Sequence, residues 1–130
     1  MILLDTHVVI WLMTTPDRLS TEAVLAIDNA GRAGTRPLVS TASIYEILCA
    51  KRRKRVQIHV SDAVLIKRLR ALFDFFPITE IIAIEAAALP EPFHGDPLDR
   101  LIAATALVEK CTLITGDQRI RSANVCTTVW

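Results

Sequence analysis

The first thirteen residues, MILLDTHVVIWLM (1–13), join a short apolar run directly to a polar pair and a second apolar stretch. Residues 1–4 are wholly apolar, which predicts a strand buried on both faces. Asp5 or Thr6 can accept hydrogen bonds from the first backbone N–H groups of a helix that follows at once. A buried strand that leads directly into a capped helix is the repeating unit of parallel sheets, so the stretch predicts an α/β fold.

The rest of the chain repeats this alternation of short apolar runs and amphipathic stretches. Further strands are predicted at 37–41, 75–78, 112–115 and 125–130, and further helices at 19–31, 42–54, 61–76, 79–89, 96–106 and 117–122. Strand–helix–strand units cross over with a right hand, which places helices on both faces of a mostly parallel sheet. The sequence therefore predicts one three-layer α/β domain that spans residues 1–130.

Composition excludes several classes of protein. An apolar fraction of 52% and a charged fraction of 22% are typical of a globular protein and not of a disordered one. The net charge of +1 gives no overall field that would indicate a nucleic-acid binder. Cys49, Cys111 and Cys126 show no metal-binding spacing and indicate free thiols in a reducing cytosol. No signal peptide or membrane span is expected, so the predicted location is the cytoplasm.

Acidic residues from distant parts of the chain are predicted to meet at one edge of the sheet. Asp5 follows the first strand, and Asp117 follows the strand at 112–115. Asp99 lies in the first turn of the helix at 96–106, and Glu46 lies about one turn inside the helix at 42–54. Strand ends and the helix starts that follow them share the edge where ligands bind in such sheets. Helix capping explains each acid singly, but it does not explain why they converge.

A cluster of carboxylates favours a divalent metal ion, because like charges repel unless a cation neutralises them. The candidate ligands are hard oxygen donors without an accompanying histidine or cysteine cluster, which favours Mg²⁺ or Mn²⁺ over zinc. A hydrated Mg²⁺ on few carboxylates typically handles phosphates, and hydrolysis of a phosphodiester is the reaction this site suggests. The alternative at this point is that the acids are only helix caps.

Four motifs, taken together, resemble those of the PIN-domain ribonucleases, specifically the VapC-type toxins of toxin–antitoxin systems. They are LLDTH (3–7), STASIYEI (40–47), HGDPLDRLIAATA (94–106) and LITGD (113–117). They occur in the family's order and span the chain. The resemblance implies a Rossmann-like PIN fold, an endoribonuclease that depends on Mg²⁺ or Mn²⁺, and a homodimer. It also implies inhibition by a cognate antitoxin whose tail enters the active cleft.

The resemblance also assigns residues by position. The acidic quartet of the family corresponds to Asp5, Glu46, Asp99 and Asp117. Asp5 and Asp99 are expected to bind the metal directly, while Glu46 and Asp117 complete the site or act through water.

The positions next to the quartet have two interpretations each. Asp96 with Pro97 is expected to be the cap that fixes the helix of Asp99, and not itself a ligand. Thr6, Ser43 and Thr115 can hydrogen-bond the carboxylates, or they can be ordinary cap and strand residues.

Basic residues supply candidate contacts to RNA. The run KRRKR (51–55) can bind phosphates through Arg52 and Arg53, or it can be a solvated helix end whose cations suit the dipole. Arg100, next to Asp99, can bind a phosphate or an antitoxin carboxylate, or pair with a neighbouring acid.

Histidines and tryptophans are left out of the predicted site. His7, His59 and His94 have no metal-ligand spacing, and only His94 lies near the expected cleft. Trp11 and Trp130 are expected to be packing or interface residues, because an aromatic content of 5% argues against a protein that binds single strands by stacking.

Two other functions stay open at this stage. One keeps the metal and changes the substrate, as in a Mg²⁺-dependent phosphatase or DNA nuclease of similar fold. However, DTH at 5–7 lacks the second aspartate of the aspartyl-phosphate phosphatases. The other is a non-catalytic PIN-fold module used for binding or regulation. Because all four acidic positions are filled, a degenerate site of this kind is disfavoured.

Overall fold

The structure, a computed structural model of the chain, describes residues 1–90, 93 and 95–130. It contains the strands β1 Ile2–Leu4, β2 Leu38–Ser40, β3 Asp74–Phe76, β4 Thr112–Ile114 and β5 Thr128–Val129. Its α-helices are α1 Thr6–Thr14, α2 Thr21–Arg32, α3 Thr41–Arg52, α4 Asp62–Leu72, α5 Glu80–Ala88, α6 Pro97–Val108 and α7 Gln118–Ala123. A single 3₁₀ turn at Pro16–Arg18, which the sequence analysis does not predict, follows α1.

The strands form one sheet in the order β3-β2-β1-β4-β5, and all four pairings between neighbours are parallel. The predicted α/β class with a mostly parallel sheet is thereby confirmed. β1 lies at the centre, with β2 on one side and β4 on the other. The chain order therefore reverses at β1, and the crevice between β1 and β4 is where ligands bind in open sheets of this kind.

The core is divided by the sheet into two apolar layers. Leu3 and Leu113 pack with α6 and α7 on one face, whereas Leu4 and Ile114 pack with α1 and α4 on the other. Successive strand residues point to opposite faces, so a wholly apolar strand supplies both layers at once. This alternation is the reason that the apolar run at the N-terminus predicts a central strand.

Of the element boundaries that differ from the prediction, the one between α4 and β3 shifts most. The predicted helix at 61–76 ends at Leu72, because Phe73 takes an extended conformation and the Asp74 N–H donates to the carbonyl of Pro37. Residues 74–76 form β3, so the predicted strand at 75–78 begins one residue earlier and ends two residues earlier. The apolar spacing continues from helix into strand, and periodicity alone does not mark the boundary.

None of the helices in the described ranges has both the length and the apolar character needed to cross a membrane.

Candidate active site

Strand ends and helix starts bring the predicted acidic residues to one edge of the sheet. Asp5 follows β1 and is the N-cap of α1, and Asp117 is the N-cap of α7, three residues after β4 ends. Asp99 lies in the first turn of α6, and Glu46 lies inside α3, which begins directly after β2. The site is thus built at the crevice between β1 and β4, where the chain order reverses.

Asp5 is the most deeply buried acid of this site, with only 2% of its surface exposed. Its Oδ1 accepts the backbone N–H of Thr6 at 2.7 Å, and its Oδ2 accepts the hydroxyl of Thr115 at 2.6 Å. A carboxylate so far from water requires such donors, because an unsatisfied buried charge is strongly unfavourable. The two threonines therefore fix the orientation of Asp5 before any ligand arrives.

Glu46 is held from the start of α1. Its Oε2 accepts the hydroxyl of Thr6 at 2.6 Å, so one residue bonds Asp5 through its backbone and Glu46 through its side chain. Burial raises the pKa of Glu46, and the hydrogen bond from Thr6 opposes that rise. The nearby carboxylates of Asp5 and Asp96 raise the pKa further.

Among the acidic residues described, Asp99 has the most strongly shifted pKa. Its pKa is raised to about 7, first by burial and then by the carboxylates of Asp5, Asp96, Glu46 and Asp117. The four neighbouring carboxylates are therefore close enough to Asp99 for their negative charges to act on it. Asp96 is the N-cap of α6, and its Oδ1 accepts the N–H groups of Leu98 at 2.9 Å and Asp99 at 3.4 Å. The exposed Asp96 thus caps the helix that presents Asp99.

Asp117 differs from the other acids because a cation lies beside it. Although partial burial works in the opposite direction, hydrogen bonds from the side chain and backbone of Arg119 hold the pKa of Asp117 below its usual value. The Arg119 guanidinium donates to its Oδ2 at 3.1 Å. The Asp117 N–H donates to the Thr115 hydroxyl at 3.1 Å, and that hydroxyl in turn donates to Asp5. Thr115 thus connects the acids that follow β1 and β4.

His7 belongs to the site, although the sequence analysis leaves it out. Its Nδ1 lies 3.3 Å from Asp5 Oδ2, and its Nε2 accepts the backbone N–H of Gly116 at 3.1 Å. Sequence spacing did not reveal this contact, because Gly116 is 109 residues away along the chain. The available signal was the position of His7 in the first turn of a helix that begins at the strand edge.

The structure also describes three other predicted positions, Ser43, Arg52 and Arg53. The Ser43 hydroxyl is fully buried, and it has no hydrogen-bond partner among the residues that the structure describes. Arg52 donates to Asp62 at 2.7 Å, on the far side of the α3–α4 connection. Arg53 is exposed at the C-cap of α3. His94 lies outside the described residues.

Arg100 is engaged with the backbone of the preceding helix and its end. Its guanidinium donates to the carbonyls of Ala86 at 3.1 Å and Leu89 at 2.8 Å, and more weakly to that of Phe93 at 3.4 Å. The Ala86 and Leu89 carbonyls lie at the C-terminal end of α5, where a cation is favoured by the helix dipole. Neither a phosphate nor a neighbouring acid is needed to explain its position.

The donor set of this site suits a hydrated divalent cation. Within the described ranges, no three His, Cys, Asp or Glu side chains are already grouped closely enough to hold a metal ion. Mg²⁺ does not require such a cage, because it keeps several of its waters and uses one or two carboxylates directly. The convergent groups are carboxylates, and His7 already uses its Nε2 for a backbone bond. Hard oxygen ligands of this type favour Mg²⁺ or Mn²⁺.

Comparison with known proteins gives matches over nearly the whole chain. A model of the PIN domain family matches residues 2–125. Ribonuclease VapC22 from Mycobacterium tuberculosis (strain ATCC 25618 / H37Rv) is 36% identical over 121 residues, which cover 93% of this chain and 90% of that protein.

Solved structures with the same fold include a chain from VapBC2 of Rickettsia felis, bound to a DNA fragment from their promoter. It has a TM-score of 0.70 and 12% identity, with 99% of this chain and 98% of that chain covered. A chain from a toxin–antitoxin complex of Klebsiella pneumoniae has a TM-score of 0.68 and 21% identity, with 100% and 97% covered.

Proposed function

This chain belongs to the PIN domain family, and we propose that it is a toxin ribonuclease that hydrolyses RNA phosphodiester bonds with the help of Mg²⁺ or Mn²⁺. The resemblance to VapC-type ribonucleases, carried by the four motifs, is confirmed by a curated ribonuclease 36% identical over most of the chain. The single observation that supports a metal-dependent reaction is the convergence of four other carboxylates on Asp99, whose pKa is raised to about 7.

Asp5 and Asp99 would hold the cation directly, and Glu46 and Asp117 would complete the site or bind it through water. A divalent cation at such a site supplies an activated water and neutralises the charge that develops on the phosphate. The buried Asp5, with its two short hydrogen bonds, offers a ligand that needs no rearrangement. Asp99 would lose its proton when the site is loaded, because a nearby cation favours the charged carboxylate.

The surrounding residues of this chain orient the acids. Thr115 links Asp5 to the turn that carries Asp117, and Thr6 links Asp5 to Glu46. Bonds of this type fix the geometry of a metal site, and their loss typically lowers metal affinity or activity by about 10–100-fold. Arg119 holds Asp117 from the solvent side. The chain's own residues therefore hold Asp5, Glu46 and Asp117 in defined orientations at the crevice.

Its partners follow from the same proposal. The substrate is RNA, and a cognate antitoxin blocks the crevice, since the similar Klebsiella chain comes from a toxin–antitoxin complex. The protein acts in the cytoplasm, as its free cysteines indicate, and it forms a homodimer, as the family resemblance implies.

The test is cleavage of a labelled structured RNA by the purified protein, with Mg²⁺, with Mn²⁺ and with EDTA, alongside Asp99→Asn. We expect metal-dependent cleavage by the unaltered protein and none by the variant, whose amide is a poor metal ligand. Cleavage in EDTA, or equal cleavage by both proteins, would contradict the proposal. Metal-independent RNA binding without cleavage, measured over several RNA classes, would favour the non-catalytic module.

A further inference from the structure

A groove of about 530 Å³ runs from the acidic site toward the basic end of α3. Glu46 and Asp96 line it at one end, and Arg53 and Arg55 also line it. Tyr45 contributes an aromatic side chain, and the apolar part of the lining includes Ile10, Val56 and Leu98. The groove thus joins Glu46, one of the proposed catalytic carboxylates, to two guanidinium groups.

Four of the basic residues at 51–55 fall into two groups, those that pair with an acid of α4 and those that line the groove. Lys51 and Arg52 both donate to Asp62, each at 2.7 Å, and these hydrogen bonds lower the pKa of Asp62. One carboxylate of α4 therefore holds both side chains and offsets part of their positive charge. Arg53 and Arg55, in contrast, are exposed residues that line the groove.

The turn after α3 brings Arg55 back to the groove. Lys54 has a φ of 56°, in the left-handed region, and the Arg55 N–H donates to the carbonyl of Ala50 at 2.9 Å. This is the helix C-terminal motif that usually has glycine at the left-handed position. A lysine there is mildly unfavourable, and such outliers are found where the surrounding structure or a function requires the backbone path.

Tyr45 supplies a surface on which a base can stack. Tyr45 is 62% exposed and lies one turn before Cys49 in α3. Glu46, an acid of the candidate site, lines the same groove as Tyr45. Exposed aromatic side chains next to cationic grooves bind single-stranded RNA by base stacking.

We propose that this groove holds the single-stranded RNA segment that flanks the cleaved bond, with phosphates on Arg53 and Arg55 and a base on Tyr45. The inference rests on the proposed ribonuclease function and adds the path of the substrate to it. Two guanidinium groups and one aromatic ring match the alternating phosphates and bases of a nucleotide strand. A protein tail in the same groove would need acidic side chains where the RNA places its phosphates, next to Arg53 and Arg55. The experiment distinguishes RNA from such a tail.

The experiment measures equilibrium binding of a fluorescein-labelled, mixed-sequence single-stranded RNA in the Asp99→Asn background, so that cleavage does not interfere. Affinity is followed as a function of salt, because each phosphate contact on a single strand contributes about 0.7 to the slope of log K against log salt. We expect Arg53→Gln and Arg55→Gln each to reduce that slope by about 0.7. Tyr45→Ala should weaken binding about tenfold, whereas Tyr45→Phe should keep it.

Arg52→Gln is the matched control, since it removes the same charge from the same run but outside the groove. It should leave the salt slope unchanged. Unchanged slopes for Arg53→Gln and Arg55→Gln, or an equal reduction for Arg52→Gln, would overturn the proposal. Loss of antitoxin binding without loss of RNA binding in the groove variants would also overturn it and identify a protein-docking surface.

A catalytically active background separates this proposal from the ribonuclease proposal. There, Arg53→Gln and Arg55→Gln should raise KM and leave kcat unchanged. If the unaltered protein cleaves no RNA but the salt slopes change as expected, the groove is supported and the hydrolysis proposal fails. If cleavage is found and the slopes do not change, the ribonuclease stands and the groove proposal fails.

Discussion

His7 and Asp5 form a pair in which the histidine ring is held on both sides. Nδ1 of His7 lies 3.3 Å from Oδ2 of Asp5, while Nε2 accepts the N–H of Gly116 at 3.1 Å. Because Nε2 is an acceptor, a neutral ring carries its proton on Nδ1 and presents it to the carboxylate. Trp11 packs edge-on against the ring, with the centroids 4.6 Å apart. His7 is therefore a positioning residue for Asp5.

Replacing His7 should separate this positioning role from simple packing. His7→Phe keeps an aromatic ring next to Trp11 but loses both hydrogen bonds, and we expect Mg²⁺ affinity to fall by about tenfold or more. His7→Asn keeps a donor at the position of Nδ1 and should recover part of that loss. Isothermal titration with Mg²⁺, with kcat measured in parallel, makes the comparison. If both variants bind Mg²⁺ as the unaltered protein does, His7 only fills space.

Gly116 should tolerate no side chain, because Trp130 packs directly on it. A Cβ at this position would lie 2.9 Å from two atoms of the Trp130 ring, which is itself packed 5.6 Å from the ring of Trp11. We expect Gly116→Ala to lower the free energy of unfolding by about 1–3 kcal/mol. In a Trp130→Ala background the same change should have a much smaller effect. Urea unfolding of the four proteins tests this, and equal effects in both backgrounds would argue against the contact.

The fold was predictable largely because its central strands are apolar on both faces. Leu3 and Leu4 face opposite layers, and Leu113 and Ile114 do the same in β4. Such runs have few alternatives to a buried parallel sheet. The start of β3 was not predictable in the same way, since Phe73 continues the apolar pattern of α4 although its backbone is already extended.

The candidate site was predictable only where a residue type follows a strand or opens a helix. Asp5, Asp99 and Asp117 occupy such positions, so their convergence follows from topology. The bond between His7 and Gly116 depends on the separation of α1 from the turn after β4, which no local pattern encodes. Likewise, the sequence does not show that Arg55, and not Arg52, lines the groove, because this depends on the left-handed turn at Lys54.

The raised pKa of Asp99 predicts that the metal-free protein loses stability as pH rises. Between the unfolded pKa near 4 and the folded pKa of about 7, the native state keeps a proton that the unfolded chain has lost. The stability that the protonated Asp99 contributes to the native state is thus fully present below pH ~4 and is lost as pH rises through ~7. We expect Tm to fall across this window without metal, and Asp99→Asn to flatten the decrease.

The same residue predicts that Mg²⁺ binding is linked to proton release. Near pH 6.5, added Mg²⁺ should displace the Asp99 proton, and its stabilising effect on Tm should grow toward pH 8. Calorimetric titration with Mg²⁺ in two buffers of different ionisation enthalpy measures the number of protons released, from the difference between the two observed binding enthalpies. A pH-independent effect of Mg²⁺ on Tm would exclude Asp99 as the proton-releasing group.

Asp96 should act as a helix cap and not as a metal ligand. Asp96→Ala removes the acceptor of the Leu98 and Asp99 N–H groups and should lower the free energy of unfolding by about 1 kcal/mol. Asp96→Asn keeps the cap, so stability and Mg²⁺ affinity should both stay close to those of the unaltered protein. Thermal unfolding and Mg²⁺ titration of the two variants distinguish the roles. A large loss of Mg²⁺ affinity in Asp96→Asn would make Asp96 a ligand.

Arg100 should stabilise the junction between α5 and α6 and contribute nothing to RNA binding. Its guanidinium donates to three backbone carbonyls near the end of α5 and lies 5.8 Å from the centre of the Phe93 ring. Lysine cannot supply three donors in this planar arrangement, so Arg100→Lys should already lower the free energy of unfolding, and Arg100→Met should lower it by about 2 kcal/mol.

RNA binding provides the second half of that test, because a phosphate contact is one of the roles that the sequence leaves open for Arg100. In the Asp99→Asn background, Arg100→Lys should bind single-stranded RNA with the salt slope of its parent, at a temperature where both proteins are folded. Arg53→Gln serves as the reference for a variant that loses a phosphate contact. Because the Arg100 donors are held by backbone carbonyls, we expect Arg100→Met also to keep this slope. A slope reduced by about 0.7 in Arg100→Met would instead support a phosphate contact.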